Sequence, residues 1–337
     1  MYESYYKLSA KPFQLKPDPD FFFGSKGHKR AMSYLEYGLS QGEGFIVITG
    51  DVGAGKTTLM RSLFRKLENK NILAAQIVNT HLDADDTLRM VVSAFGLPYV
   101  DASKADLLIR LEQFLRQCDE QGKRALLVVD EAQNLTPHTV EELRMLSNFQ
   151  TAEKSLLQIF LLGQPEFRKT LLRGDMQQLR QRVIATYHLG PLDTMETREY
   201  IEHRLHTVGW NGDPSISVDA FFEIYNFTGG IPRKINSLCD RLFLLGYLEE
   251  RHIFRSADIK EVINDIQQEF VLPMDEADEL SPSEINLIGN KSNAQIGFGD
   301  LDDRLVKMER SVISVLDIFK KILSRPDVNE MEKEKSK

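Results

Sequence analysis

The stretch GFIVITGDVGAGKTT, residues 44–58, decides how the rest of the chain is read. Phe45 to Ile48 form an unbroken apolar run, which reads as a buried strand. Gly50, Gly53 and Gly55 then lead into Lys56 and Thr57 with the spacing G-x-x-x-x-G-K-T, and helical patterning resumes near 56–69. Glycines let a backbone wrap so that successive N–H groups point inward at phosphate oxygens, and the helix N-terminus adds partial positive charge. Gly50, Asp51, Val52, Gly53, Ala54, Gly55, Lys56, Thr57 and Thr58 are therefore expected to cradle a nucleotide's phosphates. Lys56 should reach the β- and γ-phosphates, and Thr57 should ligate Mg²⁺ through its hydroxyl.

Outward from that stretch, apolar runs alternate with helical patterns. ILAAQIV (72–78), ALLVVDE (125–131) and LLQIFLLG (156–163) read as strands, and VIATYHL (183–189) as a weaker fifth. Helices are expected near 84–95, 104–121 and 137–149. Continuous apolar strands separated by helices indicate a parallel sheet covered on both faces. The fold class that follows is α/β, a three-layer αβα core with a parallel five-stranded sheet over 44–190. Upstream, 1–43 reads as an aromatic, Pro-rich extended arm (1–27) followed by a helix from His28 to Gln41. After Gly190-Pro191 the strands stop, and helices near 194–209, 217–227, 232–248 and 256–269 predict a small all-helical lid domain, 191–270. A polar acidic linker is expected at 271–298. Leu301, Leu305, Met308, Val312, Val315, Phe319 and Ile322 then mark an amphipathic helix of three heptads, 299–325, before a charged tail, 326–337. Such a helix serves equally as a face docked on its own domain or as a seam for a second copy or a partner groove.

The run Leu126 to Val129 ends in Asp130 and Glu131. A strand there delivers Asp130 to the carboxyl edge of the sheet, where ligands of open α/β sheets bind. Asp130 fits the Mg²⁺-water ligand, and Glu131 a carboxylate that polarises the water attacking the γ-phosphate. An acidic surface turn is the plainer reading of the pair alone. Its company with the phosphate loop favours hydrolysis over a binding-only switch. Gln164, at the end of the fourth run, can orient that water. Arg233 follows Gly229-Gly230-Ile231-Pro232 in the first turn of a helix, a site unfavourable to a cation unless an anion lies near. Arg180 and Arg182 precede the fifth strand and are either solvated or supplied to a neighbouring subunit.

Composition bounds the function classes. The chain has 337 residues, 42% hydrophobic and 27% charged, which excludes a disordered or collagenous protein. Asp and Glu number 50 against 42 Lys and Arg, net −8, the wrong sign for a protein whose main task is coating nucleic acid. Cys118 and Cys239 lie apart with no metal spacing and read as reduced, buried thiols. His203 and His206 have no third ligand nearby in sequence. The longest apolar run, Leu242 to Leu248, falls short of a spanning helix, and no signal peptide precedes the arm, so the chain is expected in the cytoplasm.

The succession of phosphate loop (Walker A), DEAQ (Walker B), FLLGQPEFR, LRQRV and GGIPRKIN resembles AAA+ P-loop NTPases, and more narrowly the general secretion pathway protein A family. The opening YYKLSAKPFQLKPDPDFFFGSKGHKRAMSYLEYGLSQGEGF is most similar to the exosortase (PEP-CTERM)-associated branch linked to exopolysaccharide export. The resemblance covers about residues 1–270. It implies ATP and Mg²⁺ as cofactors and a homo-oligomeric ring with nucleotide between subunits. On that pattern Gln164 takes the sensor-1 place, Arg182 (or Arg180) the arginine finger, and Arg233 sensor 2. The implied activity is ATP hydrolysis that assembles or remodels an export machinery, with the chain cytoplasmic or peripheral at the inner membrane. Secretion members carry a transmembrane helix and a peptidoglycan-binding domain after the core, and the C-terminal helix of this chain is expected to replace them in capturing a protein partner. Two other readings stay open: a DNA-associated AAA+ regulator, disfavoured by the net charge, and a nucleotide-gated scaffold with negligible turnover.

Overall fold

Alternate residues of the central strands belong to two different cores, and this alternation builds the layers. In the computed structural model, which describes residues 1–68, 70–78, 83–152 and 154–269, β1 (Phe45–Gly50), β2 (Ile72–Ile77), β3 (Arg124–Val129), β4 (Leu157–Gly163) and β5 (Val183–Leu189) form one sheet. Its order is β2-β3-β4-β1-β5 and every pairing is parallel. Helices are α1 (Tyr2–Tyr5), α2 (Lys26–Gln41), α3 (Lys56–Leu67), α4 (Ala84–Ala94), α5 (Lys104–Glu120), α6 (Pro137–Leu146), α7 (Pro165–Leu171), α8 (Gln177–Arg180), α9 (Thr194–Thr207), α10 (Val218–Thr228), α11 (Pro232–Leu248) and α12 (Ser256–Gln268).

Phe45, Val47, Leu127, Val129, Ile159 and Leu161 pack under α4, α5 and α6 through Val91, Leu111 and Leu143. Ile46, Ile48, Leu126, Val128, Phe160 and Leu162 face the other way, onto Leu35 of α2 and Leu59 and Leu63 of α3. Period-two alternation in strands that are apolar on both sides is what a sheet sandwiched between helices demands. β1 is buried along its whole length and has β4 and β5 on its two sides, which places the loop after it at the carboxyl edge between those two strands. β5, at the border, is only partly buried, the reason its apolar signal is weak.

Two expectations need correction. The region after Gly190 is not all-helical: β6 (Ser215–Ile216) and β7 (Ile253–Phe254) pair in parallel, with Ser215 N–H to His252 O at 2.9 Å and Ser217 N–H to Phe254 O at 2.9 Å. Strands of two residues carry no periodicity to detect. Nor is 1–27 simply extended, since α1 and a 3₁₀ turn (Pro19–Phe21) interrupt it. The arm is also firmly packed. Tyr2, Tyr6 and Phe13 are almost wholly buried, each ring lying 5.4–5.8 Å from that of Phe243 on α11. The Tyr2 hydroxyl donates to Asp240 (2.5 Å) and that of Tyr6 to the Arg251 carbonyl (2.7 Å).

Residues 1–263 form one compact unit, and those from 264 onward fall outside it. The linker expected at 271–298, the heptad helix at 299–325 and the tail lie outside the described residues. Both cysteines are buried and unpaired. Among the described residues, no helix is long and apolar enough to cross a membrane.

Candidate functional site

The phosphate loop joins the end of β1 to the start of α3, and its backbone is held from three sides. Gly53 and Gly55 have φ of +81° and +96°, conformations that side-chain-bearing residues resist. At Gly53 a Cβ would stand 2.4 Å from Cβ of Arg233, so the missing side chain is what lets α11 approach. The Arg233 N–H donates to the Gly53 carbonyl at 3.2 Å. The buried ring of His28 abuts the loop and lines the same pocket as the loop, so close that a Cβ on Gly55 would stand 2.8 Å from its Nε2. The Lys56 amine, itself buried, donates to the carbonyls of Gly50 (2.7 Å) and Asp51 (3.0 Å). Burial lowers the pKa of Lys56, and the carboxylates of Glu131 and Asp130 oppose that shift.

The two acids sit where β3 ends. Asp130 is buried, and its pKa is raised chiefly by desolvation, against the Glu131 N–H, the Thr57 hydroxyl and the Lys56 charge. Thr57 Oγ1 donates to Asp130 Oδ2 at 3.1 Å, so the first helical turn after the loop and the end of β3 meet. Glu131 has φ +56°, a left-handed conformation for a residue with a side chain, of the order of 1–2 kcal/mol above its relaxed state. Its Oε2 accepts from Gln133 Nε2 (2.5 Å) and Gln164 Nε2 (3.4 Å), while Gln133 Oε1 accepts from the Gln164 N–H (2.9 Å). Gln133 thus ties the expected catalytic acid to the expected sensor.

One pocket collects Val52, Gly53, Gly55, Lys56, Thr57, Thr58, Glu131, Gln164 and Arg233. Hard oxygen ligands from one hydroxyl and one carboxylate, beside a phosphate cradle, are the donor set that suits Mg²⁺, which takes one or two protein oxygens and completes its shell with phosphate and water. The residues present therefore fit a magnesium–nucleotide complex. Arg182 and Arg180 do not line this pocket. Arg182 donates to Ser147 Oγ (2.9 Å) at the end of α6, and Arg180 to the carbonyls of Leu171 (2.5 Å) and Arg173 (2.6 Å).

Four groups were not singled out from sequence. The arm supplies a wall through Lys16, Pro17 and Phe22, and helices α9 and α11 another through Tyr200, Arg204 and Asn236. Gln133 was visible only as a letter in DEAQ. His28 read as the plain start of a helix. Arg204 is buried, its Nε donating to the Pro12 carbonyl, Nη1 to the Tyr200 hydroxyl (2.9 Å) and Nη2 to the Gln14 carbonyl (3.3 Å), with its guanidinium 4.7 Å over the Phe21 ring. The run of prolines and aromatics in the arm was the one signal that it packs rather than floats.

Residues 39–171 match the family described as AAA domain. The chain is similar to general secretion pathway protein A of Aeromonas hydrophila, 38% identical over 260 residues, which is 77% of this chain and 47% of that protein. Among solved structures, Cdc6p from Pyrobaculum aerophilum superposes with a TM-score of 0.58 at 16% identity, over 83% of this chain and 74% of the other. The Aeropyrum pernix ORC1 protein, solved in complex with DNA, gives 0.57 at 18% identity over 77% and 70%. At such identities the likeness reaches the fold alone. The chain spans less than half the length of the curated relatives it matches.

Proposed function

With an AAA domain at its centre and a relation to general secretion pathway protein A, we propose that the chain is an Mg²⁺-dependent ATP hydrolase whose cycle drives rearrangement of a protein assembly. The observation that carries this reading is the 3.1 Å hydrogen bond from Thr57 to Asp130, with Thr57 in a pocket that also holds Lys56, Glu131, Gln164 and Arg233. Thr57 and Asp130 hold the metal, and Mg²⁺, when bound, neutralises charge on the phosphate oxygens. Gly53, Gly55, Lys56, Thr57 and Thr58 bind the phosphates. The Lys56 amine exchanges its loop carbonyls for phosphate oxygens. Glu131 accepts a proton from the attacking water, Gln164 orients it, and Arg233 brings the lid down on the γ-phosphate from the loop it already touches.

On this proposal Arg182 serves a neighbouring subunit of a ring, which agrees with its standing outside its own pocket. The similarity to the secretion protein and the opening sequence support an export or exopolysaccharide assembly at the cytoplasmic side of the inner membrane. Residues 299–325 are then the partner-capturing element. A DNA-associated role is countered by the net −8 and by nothing else: the fold neighbour solved with DNA is too distant to speak either way. Steady-state phosphate release by wild type and Glu131→Gln tests the enzyme reading. Wild-type turnover that falls at least a hundredfold in Glu131→Gln, with ATP still bound, supports it. Equal near-zero rates with intact binding would sink it in favour of a nucleotide-gated scaffold.

A further inference from the structure

Gln133 stands in the one-turn 3₁₀ helix Ala132–Asn134, directly after Glu131. The left-handed backbone of Glu131, φ +56° and ψ +40°, turns the chain there, and the side chain two positions on reaches back to it. Gln133 Nε2 donates to Glu131 Oε2 at 2.5 Å. Gln164 Nε2 reaches the same oxygen only at 3.4 Å, so Gln133 is the closer of the two amides. The far side of the Gln133 amide is held from a different strand: Oε1 accepts the main-chain N–H of Gln164, the residue after β4, at 2.9 Å. A main-chain N–H can only donate. Oε1 is therefore the atom that meets it, and the amide nitrogen is left to face Glu131.

The end of β4 is shaped to admit this amide. A Cβ on Gly163 would stand 3.2 Å from Gln133 Oε1 and 3.3 Å from its main-chain nitrogen, closer than an ordinary contact, so a side chain at 163 would crowd it. A residue with a side chain keeps a left-handed backbone only where its surroundings over-determine it, and the Gln133 amide supplies one such constraint on Glu131. Glu131 and Gln164 line the phosphate pocket, whereas Gln133 is not among its lining residues. Replacing Gln133 thus leaves the groups that meet phosphate in place.

We infer that Gln133 is a positioning residue for hydrolysis: anchored on the Gln164 main chain, its amide aims the Glu131 carboxylate at the attacking water. Its role rests on the proposed part of Glu131 as proton acceptor, and the experiment distinguishes failure of the one from failure of the other. A glutamine that merely filled the gap between two strand ends would be replaceable by any side chain of its length. A donor aimed at a carboxylate would not.

Steady-state phosphate release and calorimetric ATP affinity of the full chain are compared for wild type, Gln133→Met and Gln133→Glu. Gln133→Met keeps the length and loses both hydrogen bonds. It is expected to lower kcat about tenfold, a part of the roughly 10²–10⁴-fold that a placed general base supplies, with KM and ATP affinity within about twofold of wild type. Gln133→Glu keeps an acceptor for the Gln164 N–H and loses the donor to Glu131, so its kcat should fall at least as far; it carries the test should the Met variant not fold. On a Glu131→Gln background, single-turnover rates should fall less than about twofold further when Gln133→Met is added. A full tenfold further loss there, an equal weakening of ATP binding, or wild-type kcat in Gln133→Glu overturns the inference. In nucleotide-free protein, nitrogen-15 NMR should show the Gln133 side-chain amide shifted from those of exposed glutamines and moving toward them in Glu131→Ala; a resonance unmoved by that substitution would overturn it too. Wild type that binds ATP without turnover overturns the enzyme reading itself, whereas wild-type turnover retained in Gln133→Met overturns the role of Gln133 alone.

Discussion

Replacing Arg204 by Met keeps most of the side chain's volume and removes its guanidinium, the group that joins the arm to the lid. The loss can be worked out contact by contact. The Tyr200 hydroxyl keeps its bond to Asn236 (2.8 Å), and the Gln14 carbonyl keeps only a long one from the Asn236 amide (3.5 Å). The Pro12 and Gln14 carbonyls therefore lose their main donor, each deprived buried acceptor being worth about 1–3 kcal/mol. The cation over the Phe21 ring contributes roughly 1–2 kcal/mol more in a site shielded from water. Against this, a charge no longer needs burying, which offsets part of the loss. A net destabilisation of about 3 kcal/mol follows, and in a unit of this size it lowers Tm by roughly 6–12 °C at about 2–4 °C per kcal/mol. Differential scanning calorimetry reads that shift. Limited proteolysis should show cleavage between Pro12 and Phe23 ahead of the rest, and ATP affinity should fall because the arm forms a wall of the pocket. A Tm within 2 °C of wild type, with the arm still protected, would refute the view that Arg204 fastens it.

Lys56→Ala should abolish detectable ATP binding in the same calorimetry, since the amine is the cation placed inside the phosphate cradle. Arg182→Ala should keep wild-type ATP affinity and lose turnover, and mixing it with an Arg233→Ala protein should restore part of the activity if sites are shared; unaltered turnover in Arg182→Ala removes the finger assignment. His28 makes the fold acid-labile: its pKa is about 4 folded against about 6.5 unfolded, so the unfolded chain binds the extra proton and stability drops as pH falls from 6.5 to 4. A shift of that size is worth about 3 kcal/mol at the acid end. Urea unfolding of His28→Gln between pH 7 and 4 should show a shallower decline than wild type, and parallel curves would contradict the burial argument.

The central sheet was legible because strands buried on both faces have to be apolar throughout, and Ile46, Leu127 and Phe160 satisfy that from sequence alone. Its border strand β5 was fainter because it is only partly buried, with Thr186 and His188 exposed. The phosphate loop and the acids Asp130 and Glu131 were legible because their chemistry is local: spacing within eight residues, or the end of one strand. What escaped was whatever depends on distant segments meeting. Nothing in the letters near Arg204 says that its acceptors lie at Pro12 and Gln14, about 190 positions earlier. Gln133 becomes meaningful only once the ends of β3 and β4 lie side by side. His28 carries no motif, and its burial depends on the loop that β1 delivers onto it. The small β6–β7 pair was hidden by its length.

The aromatic packing of the arm also has a temporal side. Tyr2 and Tyr6 find their hydrogen-bond partners 238 and 245 positions later. On a ribosome elongating at about 5–20 residues per second, those rings leave the exit tunnel and wait roughly 12–50 s before Asp240 and Arg251 exist. Throughout that interval residues 2–13 are an aromatic-rich segment without its docking surface. The last helices, once made, complete the packing of residues 2–13, so a truncation that stops short of α11 leaves that aromatic arm without a place to go.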